Sequence, residues 1–276
     1  MNQSELKEII YQALQEDLGF GDLSSAIFPE GHLSSGTFLA KANGTLAGLD
    51  IIIQTYRLLD DNIKITLAKQ DGDVVTSGDV IAKAEGPTRA LLSGERVVLN
   101  FVQHLSGIAT ATRKAVNALN SDHTRVCDTR KTLPGLRMLQ KYAVRCGGGY
   151  NHRYRLDDGI MIKDNHIKAA GSIAKAVEKA KSQHGLMVKV EVETETKEQV
   201  LEAIEAGADI IMLDNRPPEE VKQLVTLIPE HIISEASGDI TLETIGSYRE
   251  TGVDYISMGS LTHSVNALDI SFNLDT

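Results

Sequence analysis

Tryptophan is absent from the 276-residue chain, and aromatic residues of all kinds are scarce. Cysteine occurs only twice, at Cys127 and Cys146, which is too few for a disulfide framework and fits a reducing compartment. No apolar run approaches the ~20 residues of a membrane-spanning helix. The first stretch, MNQSELKEIIYQALQEDLG, lacks the basic start and apolar block of a signal peptide. We therefore expect a cytoplasmic α/β protein without a membrane partner.

Positive charge is also in short supply, since the formal net charge is -10. Such a balance argues against a nucleic acid as the main partner. One segment of the chain is instead strongly basic. The run CDTRKTLPGLRMLQKYAVRCGGGYNHR, residues 127–153, gathers six Arg and Lys residues and one His against the single acid Asp128. This local excess of cations needs an explanation.

The second half of the chain repeats a strand–helix unit. Predicted strands cover 186–194, 208–215, 231–238 and 253–260, and predicted helices cover 196–207, 217–228 and 241–252. Two further strands are predicted at 124–129 and 158–163. The step from Glu193 to Asp214 is 21 residues, and the steps from Asp214 to Ser237 and from Ser237 to Ser260 are 23 each. A regular cycle of this kind predicts parallel strands with right-handed crossovers, most simply a barrel.

The first hundred residues follow a different pattern. Helices are predicted at 4–17 and 46–59, and short strands at 36–42, 62–70 and 79–86. A long helical region, residues 89–119, joins this part to the repeat. We place a domain boundary inside that helix, near Gly107.

Polar residues stand where the predicted parallel strands end, which is where barrels carry their functional groups. They are Thr129, Arg130, Lys131, Lys163, Glu193, Asp214, Ser237, Gly238, Gly259 and Ser260. Because side chains alternate along a strand, Lys189, Glu191 and Glu193 share one face. At least one of these two carboxylates should point inward and have a partner.

The last two strand ends, in EASGD and MGS, are short loops that contain glycine and serine. Backbone N–H groups and hydroxyls at such points suit a phosphate group, and barrels often bind one after their final strands.

The basic segment fits a compact acidic ligand, since it lacks the interleaved acids of a solvated face and the aromatics of a nucleic-acid surface. Arginine forks bind carboxylate or phosphate through two hydrogen bonds. Arg137, Lys141 and Arg145 share one helix face and could be solvated. The stronger candidates flank that helix: Arg130, Lys131, His152 and Arg153.

The blocks DTRKTLPGLRMLQKYAVRCGGGYNHRYRLDDGIMIKDNHI, GERVVLNFVQHLSGIAT, VEVET, ADIIMLDN, EASGDITLETI and GSLTHSVNALDIS together resemble the quinolinate phosphoribosyltransferase family, also called carboxylating nicotinate-nucleotide pyrophosphorylases. The resemblance covers nearly the whole chain. It implies an N-terminal α/β sandwich domain plus an incomplete, open α/β barrel with parallel strands. The implied domains are 1–107, joined by the C-terminal segment 267–276, and 108–266.

The resemblance also implies the reaction. Quinolinate and phosphoribosyl pyrophosphate would give nicotinate mononucleotide, pyrophosphate and carbon dioxide for NAD biosynthesis, with Mg²⁺ accompanying the donor. The implied quinolinate contacts are Thr129, Arg130, His152, Arg153 and Lys163, with Arg96 reaching in from the partner of a homodimer. The implied donor contacts are Lys131 for pyrophosphate, Glu193 and Asp214 for the ribose and the metal, and Ser237, Gly238, Asp239, Met258, Gly259 and Ser260 for the 5′-phosphate. Lys131, Lys163, Glu193 and Asp214 are the implied catalytic residues.

Three alternatives remain open at the level of the sequence. A phosphoribosyltransferase-like protein of molybdenum-transport operons shares the DTRKT and HR blocks. An aldolase could use Lys163 to form a Schiff base. A non-catalytic protein that binds phosphorylated metabolites would keep the phosphate loops without needing both Glu193 and Asp214. We interpret Cys127 and Cys146 as buried thiols without a catalytic role, and His166 and His263 as structural.

Overall fold

The structure is a computed structural model that describes residues 1–275. Within that part of the chain no helix is long and apolar enough to cross a membrane. The helices are α1 (Gln3–Leu18), α2 (Leu49–Leu59), α3 (Thr88–Leu119), α4 (Arg137–Cys146), α5 (Asp164–Ala170), α6 (Ile173–Gln183), α7 (Lys197–Glu205), α8 (Pro218–Val225) and α9 (Ser260–His263). The strands are β1 (Leu33–Ala40), β2 (Gly44–Thr45), β3 (Lys64–Leu67), β4 (Val74–Val75), β5 (Val80–Pro87), β6 (Arg125–Cys127), β7 (Ile160–Ile162), β8 (Val190–Thr194), β9 (Ile210–Asp214), β10 (Ile233–Ser237), β11 (Tyr255–Ser257) and β12 (Ile270–Leu274).

The chain forms two compact units. The first contains residues 1–113, 132–148 and 261–276, and the second contains 114–131 and 149–260. Helix α3 runs through the predicted boundary at Gly107 without a break, and the division falls after Arg113.

The first unit is built on a four-stranded sheet with the order β12-β1-β5-β3, whose neighbouring strands are antiparallel. The C-terminal strand β12 therefore returns to the first domain, and Phe272 lies opposite Phe38 with ring centroids 4.5 Å apart. Phe38 also packs against Tyr56 of α2. These rings belong to a continuous hydrophobic core, so the unit buries one face of its sheet under helices.

The second unit is an open parallel barrel. Its six strands follow the order β6-β11-β10-β9-β8-β7, and every pairing between them is parallel. Strands β6 and β7 do not pair with each other among the described residues, so the barrel stays open there. Tyr150 lies along the free edge of β6, where it forms an isolated parallel bridge with Cys127. The predicted fold class, an α/β sandwich plus an incomplete barrel, is confirmed.

Local signals explain the barrel helices. Helix α7 begins at a capping box. The Thr196 side chain accepts the backbone N–H of Gln199, and the Gln199 side chain accepts the backbone N–H of Thr196. Pro218 opens α8, as expected for a residue without a backbone donor. Gly207, which follows α7, has a φ of 77°, a conformation that favours glycine.

One predicted helix is wrong. Residues 241–252 form only a four-residue 3-10 turn, Ile245–Tyr248. The hydroxyl of Thr244 accepts the N–H of Thr241, which satisfies the backbone locally instead of in a helix. A Cβ on Gly246 would stand 3.3 Å from the carbonyl oxygen of Ala118, so the chain passes close to α3 at this point.

One other prediction needs correction. The strand predicted at 186–194 begins only at Val190, and residues 186 and 187 are fully or almost fully exposed. The segment 132–148, which lies inside the predicted barrel domain, groups by its contacts with the first unit. The physical reason is α4, because the Gln140 amide contacts His104 of α3 and donates to the carbonyl of Thr262, both in that unit.

Candidate active site

Three charged side chains stand at the carboxyl ends of neighbouring barrel strands, as predicted. Lys163 follows β7, Glu193 lies near the end of β8, and Asp214 ends β9. The Lys163 ammonium donates directly to Glu193 Oε2. Because parallel strands present their carboxyl ends on one side of the barrel, these groups face the same space.

Asp214 is the electrostatically unusual member of this group. Burial raises the pKa of its carboxyl, the neighbouring Glu193 carboxylate raises it further, and the Lys163 ammonium opposes both. Two carboxylates held this close repel each other, and a cationic group placed between them would relieve that repulsion. The pair is therefore prepared for a ligand that carries or develops positive charge.

The loop after β10, the first of the two predicted phosphate loops, turns tightly at Gly238. Gly238 has a φ of 95°, and a Cβ there would come within 2.1 Å of Asn215 Oδ1. Only glycine fits this contact. The loop is tied to the next strand end, because Asn215 donates its N–H to the Ser237 carbonyl at 2.8 Å. Asp239 follows with a left-handed φ of 47°, and its side chain is exposed.

The loop after β11 adjoins the same end of the barrel. The Ser257 hydroxyl lies 3.0 Å from that of Ser237, so the two strand ends are hydrogen-bonded through their side chains. Met258 donates its N–H to the Cys127 carbonyl and is buried. Gly259 and Ser260 follow it and are partly exposed. Both predicted phosphate loops thus lie next to each other.

Asp128, the single acid of the basic segment, organises the loop that bears His152. The carboxylate is fully buried. It accepts the side-chain N–H of Asn151 at 2.6 Å and the backbone N–H of His152 at 2.9 Å. Sequence reasoning noted the residue but did not assign it a role. Its isolation among cations is the signal that could have pointed to a buried acceptor.

His152 points toward the barrel interior. Its Nε2 lies 3.1 Å from Glu191 Oε2 and 3.4 Å from Glu235 Oε2. Burial lowers the pKa of the His152 ring, but the two carboxylates outweigh this and raise it to about 10. Glu191 is the inward carboxylate that the alternation of β8 predicted. Glu235 was not predicted, because nothing in the local sequence links it to His152.

The remaining ring nitrogen of His152 has a different partner. Nδ1 accepts the backbone N–H of Arg153 at 2.8 Å. Burial raises the pKa of Glu191, and the Glu235 carboxylate raises it further. An Nδ1 that accepts this hydrogen bond carries no proton. The two glutamates therefore favour the doubly protonated ring, whereas the Arg153 N–H favours the neutral ring.

Arg153 and Arg130 lie near each other in the same unit. Burial lowers the pKa of the Arg153 guanidinium, and the Arg130 charge lowers it further. Arg153 Nη1 donates to the carbonyl of Gly159 at 2.7 Å, which fixes one side of the guanidinium. Neighbouring cations of this kind favour an anionic ligand.

The other cations of the basic segment belong to the first unit. Arg137, Lys141 and Arg145 lie on α4. Lys141 is buried, at 2% exposure, so the three do not form one solvated face. Arg96 lies on α3 in the same unit and is exposed. Thr129 and Lys131 stay with the barrel, where Lys131 is exposed and donates its N–H to Thr129 Oγ1.

Neither thiol resembles a nucleophile. Cys127 is buried and Cys146 is partly buried. Burial raises the pKa of Cys146 to about 11, so its reactive thiolate form is scarce at neutral pH. His166 accepts the N–H of Lys163 at 3.0 Å and so helps to begin α5. His263 contacts the adjacent Ser264 hydroxyl.

Comparison with known proteins covers both units. Residues 108–273 match the model of the C-terminal domain of quinolinate phosphoribosyl transferase, and residues 22–106 match the model of its N-terminal domain. A Bacillus subtilis protein named "Probable nicotinate-nucleotide pyrophosphorylase [carboxylating]" is 55% identical over 275 residues, which is 99% of this chain and 95% of the relative.

Solved structures agree with the sequence relatives. The crystal structure of NadC from Streptococcus pyogenes is 44% identical and superposes with a TM-score of 0.97, covering 100% of this chain and 98% of that one. The nicotinate-nucleotide pyrophosphorylase of Francisella tularensis is 38% identical, with a TM-score of 0.95 over 100% of this chain and 98% of that one. The chain belongs to the quinolinate phosphoribosyltransferase family.

Proposed function

We propose that the chain transfers the phosphoribosyl group of phosphoribosyl pyrophosphate to quinolinate with loss of carbon dioxide, giving nicotinate mononucleotide and pyrophosphate for NAD biosynthesis. The observation that carries this is the arrangement of charge in the barrel unit. The Glu193 and Asp214 carboxylates stand at adjacent strand ends, and the neighbouring guanidiniums of Arg130 and Arg153 belong to the same unit. A dianionic acceptor and a donor that develops positive charge require these two kinds of group.

The acceptor is held by cations. Arg130 and Arg153 bind the two carboxylates of quinolinate, with Thr129 and Lys163 beside them. The ring of His152 is engaged by two glutamates and by the Arg153 N–H. We propose that it contacts a quinolinate carboxylate and also positions Arg153.

The donor is held by the strand ends. Lys131 binds the pyrophosphate, and Glu193 and Asp214 bind the ribose. The 5′-phosphate is bound by the two glycine loops, whose members are Ser237, Gly238, Asp239, Met258, Gly259 and Ser260. The requirement for glycine at position 238 supports this phosphate site, because a residue without a side chain lets the backbone N–H groups approach an anion closely.

The first chemical step follows from these positions. As pyrophosphate leaves, positive charge develops at the ribose carbon, and the fixed carboxylates of Glu193 and Asp214 stabilise it. Lys131 stabilises the negative charge on the leaving oxygens. Arg130 and Arg153 hold the pyridine nitrogen toward that carbon, which is a proximity effect. The nitrogen attacks as it stands, so this step needs no general base.

The second step is the loss of carbon dioxide. Once the pyridine nitrogen carries the ribose, its positive charge stabilises the carbanion that remains when the adjacent carboxylate departs as carbon dioxide. A proton from water then completes that ring carbon. The protein keeps the ring oriented during this step. Its cations must hold the second carboxylate, which stays on the product.

Mg²⁺ fits this site. Carboxylate oxygens are ligands that Mg²⁺ accepts, and it commonly joins one or two of them with substrate phosphates. Glu193 and Asp214 would hold it, directly or through the donor, and the raised pKa of Asp214 marks a carboxylate whose neighbour is another carboxylate. When bound, the ion supplies charge neutralisation on the departing pyrophosphate.

The homodimer is part of the proposal. Arg96 is exposed on α3 in the first unit, outside the barrel unit that carries the other candidates. We propose that it completes the quinolinate site of a partner subunit in a symmetric dimer.

The Schiff-base alternative finds less support, because the Lys163 side chain is held in a hydrogen bond to Glu193. Borohydride trapping with a carbonyl substrate tests it, and no covalent adduct is expected.

One assay tests the proposed activity. The purified chain is incubated with quinolinate, phosphoribosyl pyrophosphate and Mg²⁺ while carbon dioxide and nicotinate mononucleotide are measured. Nicotinate, which lacks one carboxylate, is the control substrate and should show a kcat/KM lower by roughly a hundredfold or more, since a charge-assisted contact is lost. Equal turnover of both acids, or no carbon dioxide, would contradict the proposal.

A further inference from the structure

Asn215 holds a backbone conformation that few side chains adopt. It directly follows β9, and its φ of 53° is left-handed. Within residues 1–275, positive φ values occur at only three non-glycine positions, and Asp239 in the adjoining loop is another of them. Backbone strain of this kind collects at functional sites. Glycine would fit this conformation without strain, so the presence of the Asn215 side chain needs an explanation.

The carboxamide of Asn215 faces a carboxylate on one side. Its Nδ2 donates to Asp214 Oδ2 at 2.7 Å. Because an ionised carboxylate only accepts hydrogen bonds, the amide nitrogen lies on this side and Oδ1 lies on the other. The orientation of the amide is therefore determined. The hydrogen bond is also charge-assisted, which makes it stronger than a bond between neutral groups.

The first phosphate loop lies on the other side of the carboxamide. In the parallel pairing of β9 with β10, Asp214 lies opposite Ser237, so Asn215 and Gly238 follow at the two strand ends. Asn215 donates its backbone N–H to the Ser237 carbonyl at 2.8 Å. Its Oδ1 fills the space beside Gly238, where an added Cβ would stand only 2.1 Å away. One side chain thus lies against both the carboxylate and the loop.

The turn that follows Asn215 is fixed by two further hydrogen bonds. Arg216 Nε donates to the Asp214 carbonyl at 3.1 Å, and the Tyr248 hydroxyl donates to the Arg216 carbonyl at 2.9 Å. These bonds hold the backbone on both sides of Asn215. Its carboxamide therefore extends from a fixed point.

The two groups that Asn215 contacts have different tasks in the proposed reaction. Asp214 is assigned to the ribose, and Gly238 is assigned to the 5′-phosphate. Ribose and phosphate belong to one donor molecule, so the protein groups that bind them must keep a set separation. A free carboxylate rotates about its side-chain bonds. The hydrogen bond from Asn215 restrains Asp214 relative to the loop, which favours productive orientation of the donor.

We propose that Asn215 is a positioning residue for the phosphoribosyl donor. It holds the Asp214 carboxylate against the Gly238 loop, so that the ribose and the 5′-phosphate are bound together. This inference rests on the proposed function, because it assigns Asn215 a part in binding that donor. The rival interpretation is a purely structural role, in which asparagine supplies only the left-handed turn.

The substitution Asn215→Gly separates the two interpretations. Glycine keeps the left-handed backbone and removes the carboxamide. The KM for phosphoribosyl pyrophosphate should rise about tenfold, since one charge-assisted hydrogen bond is lost. The kcat should fall as well, whereas the affinity for quinolinate, measured by calorimetry, should not change. Calorimetric titration with phosphoribosyl pyrophosphate in the absence of quinolinate should show the same loss of donor affinity without turnover.

The substitution Asn120→Gly is the matched control. Asn120 is also exposed and left-handed, with a φ of 45°, but it follows α3 instead of a barrel strand. Both glycine variants should unfold at nearly the wild-type temperature, and only Asn215→Gly should alter donor binding. Asn215→Asp keeps a side chain that tolerates the left-handed turn but places a second carboxylate beside Asp214. It should bind the donor no better than Asn215→Gly.

The outcomes distinguish this inference from the proposed function. If the wild type releases carbon dioxide from quinolinate and Asn215→Gly binds the donor as Asn120→Gly does, the positioning role is overturned and the proposed function is not. The positioning role is also overturned if Asn215→Gly weakens quinolinate as much as the donor, or if Asn215→Asp binds the donor as the wild type does. A wild type that releases no carbon dioxide overturns the proposed function and, with it, this inference.

Discussion

The carboxylate of Asp128 accepts the backbone N–H of His152 at 2.9 Å while it is itself fully buried. The hydrogen bond joins the residue after β6 to the loop that lies along the free edge of that strand. His152 in turn accepts the N–H of Arg153 through its ring. A buried acid thus determines where a proposed quinolinate contact lies.

Replacing Asp128 with Asn keeps the shape but places an amide against two donors. We expect a loss of about 2 kcal/mol in the free energy of unfolding. The KM for quinolinate should rise more than the KM for phosphoribosyl pyrophosphate. Denaturant unfolding and steady-state kinetics measure the two effects. Asp157→Asn, at an exposed position, is the control. An equal rise in both KM values would argue for a purely structural role.

Asp214→Asn removes a negative charge from the ribose side without changing shape. Because the carboxylate acts on charge that exists only in the transition state, kcat should fall more than quinolinate affinity. Calorimetry measures the affinity for quinolinate and steady-state kinetics measures kcat, so the two effects can be separated. If affinity collapses while kcat holds, Asp214 belongs to the acceptor side.

Gly238→Ala introduces a Cβ at a φ of 95° and within 2.1 Å of Asn215 Oδ1. The loop must shift, so the KM for phosphoribosyl pyrophosphate should rise about tenfold or more, as one charged contact to the phosphate is lost. Gly185→Ala is the matched control, since its Cβ would meet nothing within 4 Å. An unchanged KM in Gly238→Ala would place the 5′-phosphate elsewhere.

A shared site predicts complementation between inactive chains. Arg96→Ala and Arg130→Ala should each be nearly inactive as homodimers, because each removes a cation from a desolvated carboxylate. If each site takes Arg96 from the partner, a mixed dimer has one doubly defective site and one intact site. Random mixing of equal amounts should restore about a quarter of wild-type activity, given the symmetric pairing of chains. No recovery after demonstrated subunit exchange would mean that Arg96 acts within its own chain.

The His152 cluster predicts a pH dependence of stability. Its folded-state pKa is raised to about 10, above the unfolded value near 6.5. The stabilisation is therefore complete below pH 6.5 and is lost as the pH rises through about 10. Between those values the free energy of unfolding should fall more steeply in the wild type than in His152→Gln. His231→Gln, a change at an exposed position, should follow the wild type. If the free energy of unfolding depends on pH in the same way in all three proteins, the pairing of His152 with the two glutamates is refuted.

Regular repetition made the barrel predictable, because the even spacing of its strands is enough to place Lys163, Glu193 and Asp214 at one end. The contacts of His152 could not be read in the same way. Its partners Glu191 and Glu235 are 39 and 83 residues away along the chain, and they meet it only because β8 and β10 curve around a common interior.

Helix α4 shows a second limit. Its basic spacing suggested a solvated face, yet Lys141 is buried and the helix groups with the first unit. Helical periodicity tells which side chains share a face but not which neighbour covers it. The failed helix at 241–252 has a different cause, since the Thr244 hydroxyl competes for the backbone.

The gap between β6 and β7 leaves two strand edges that could recruit a foreign strand. An open edge is a template for aggregation, which proteins limit by keeping such strands short or covered. Both devices are present. Strand β7 has three residues, the Arg153 guanidinium binds the carbonyl of Gly159 just before it, and Tyr150 bridges to Cys127 on the β6 side. The same short loop that supplies a proposed substrate contact therefore also protects the barrel from edge-to-edge association.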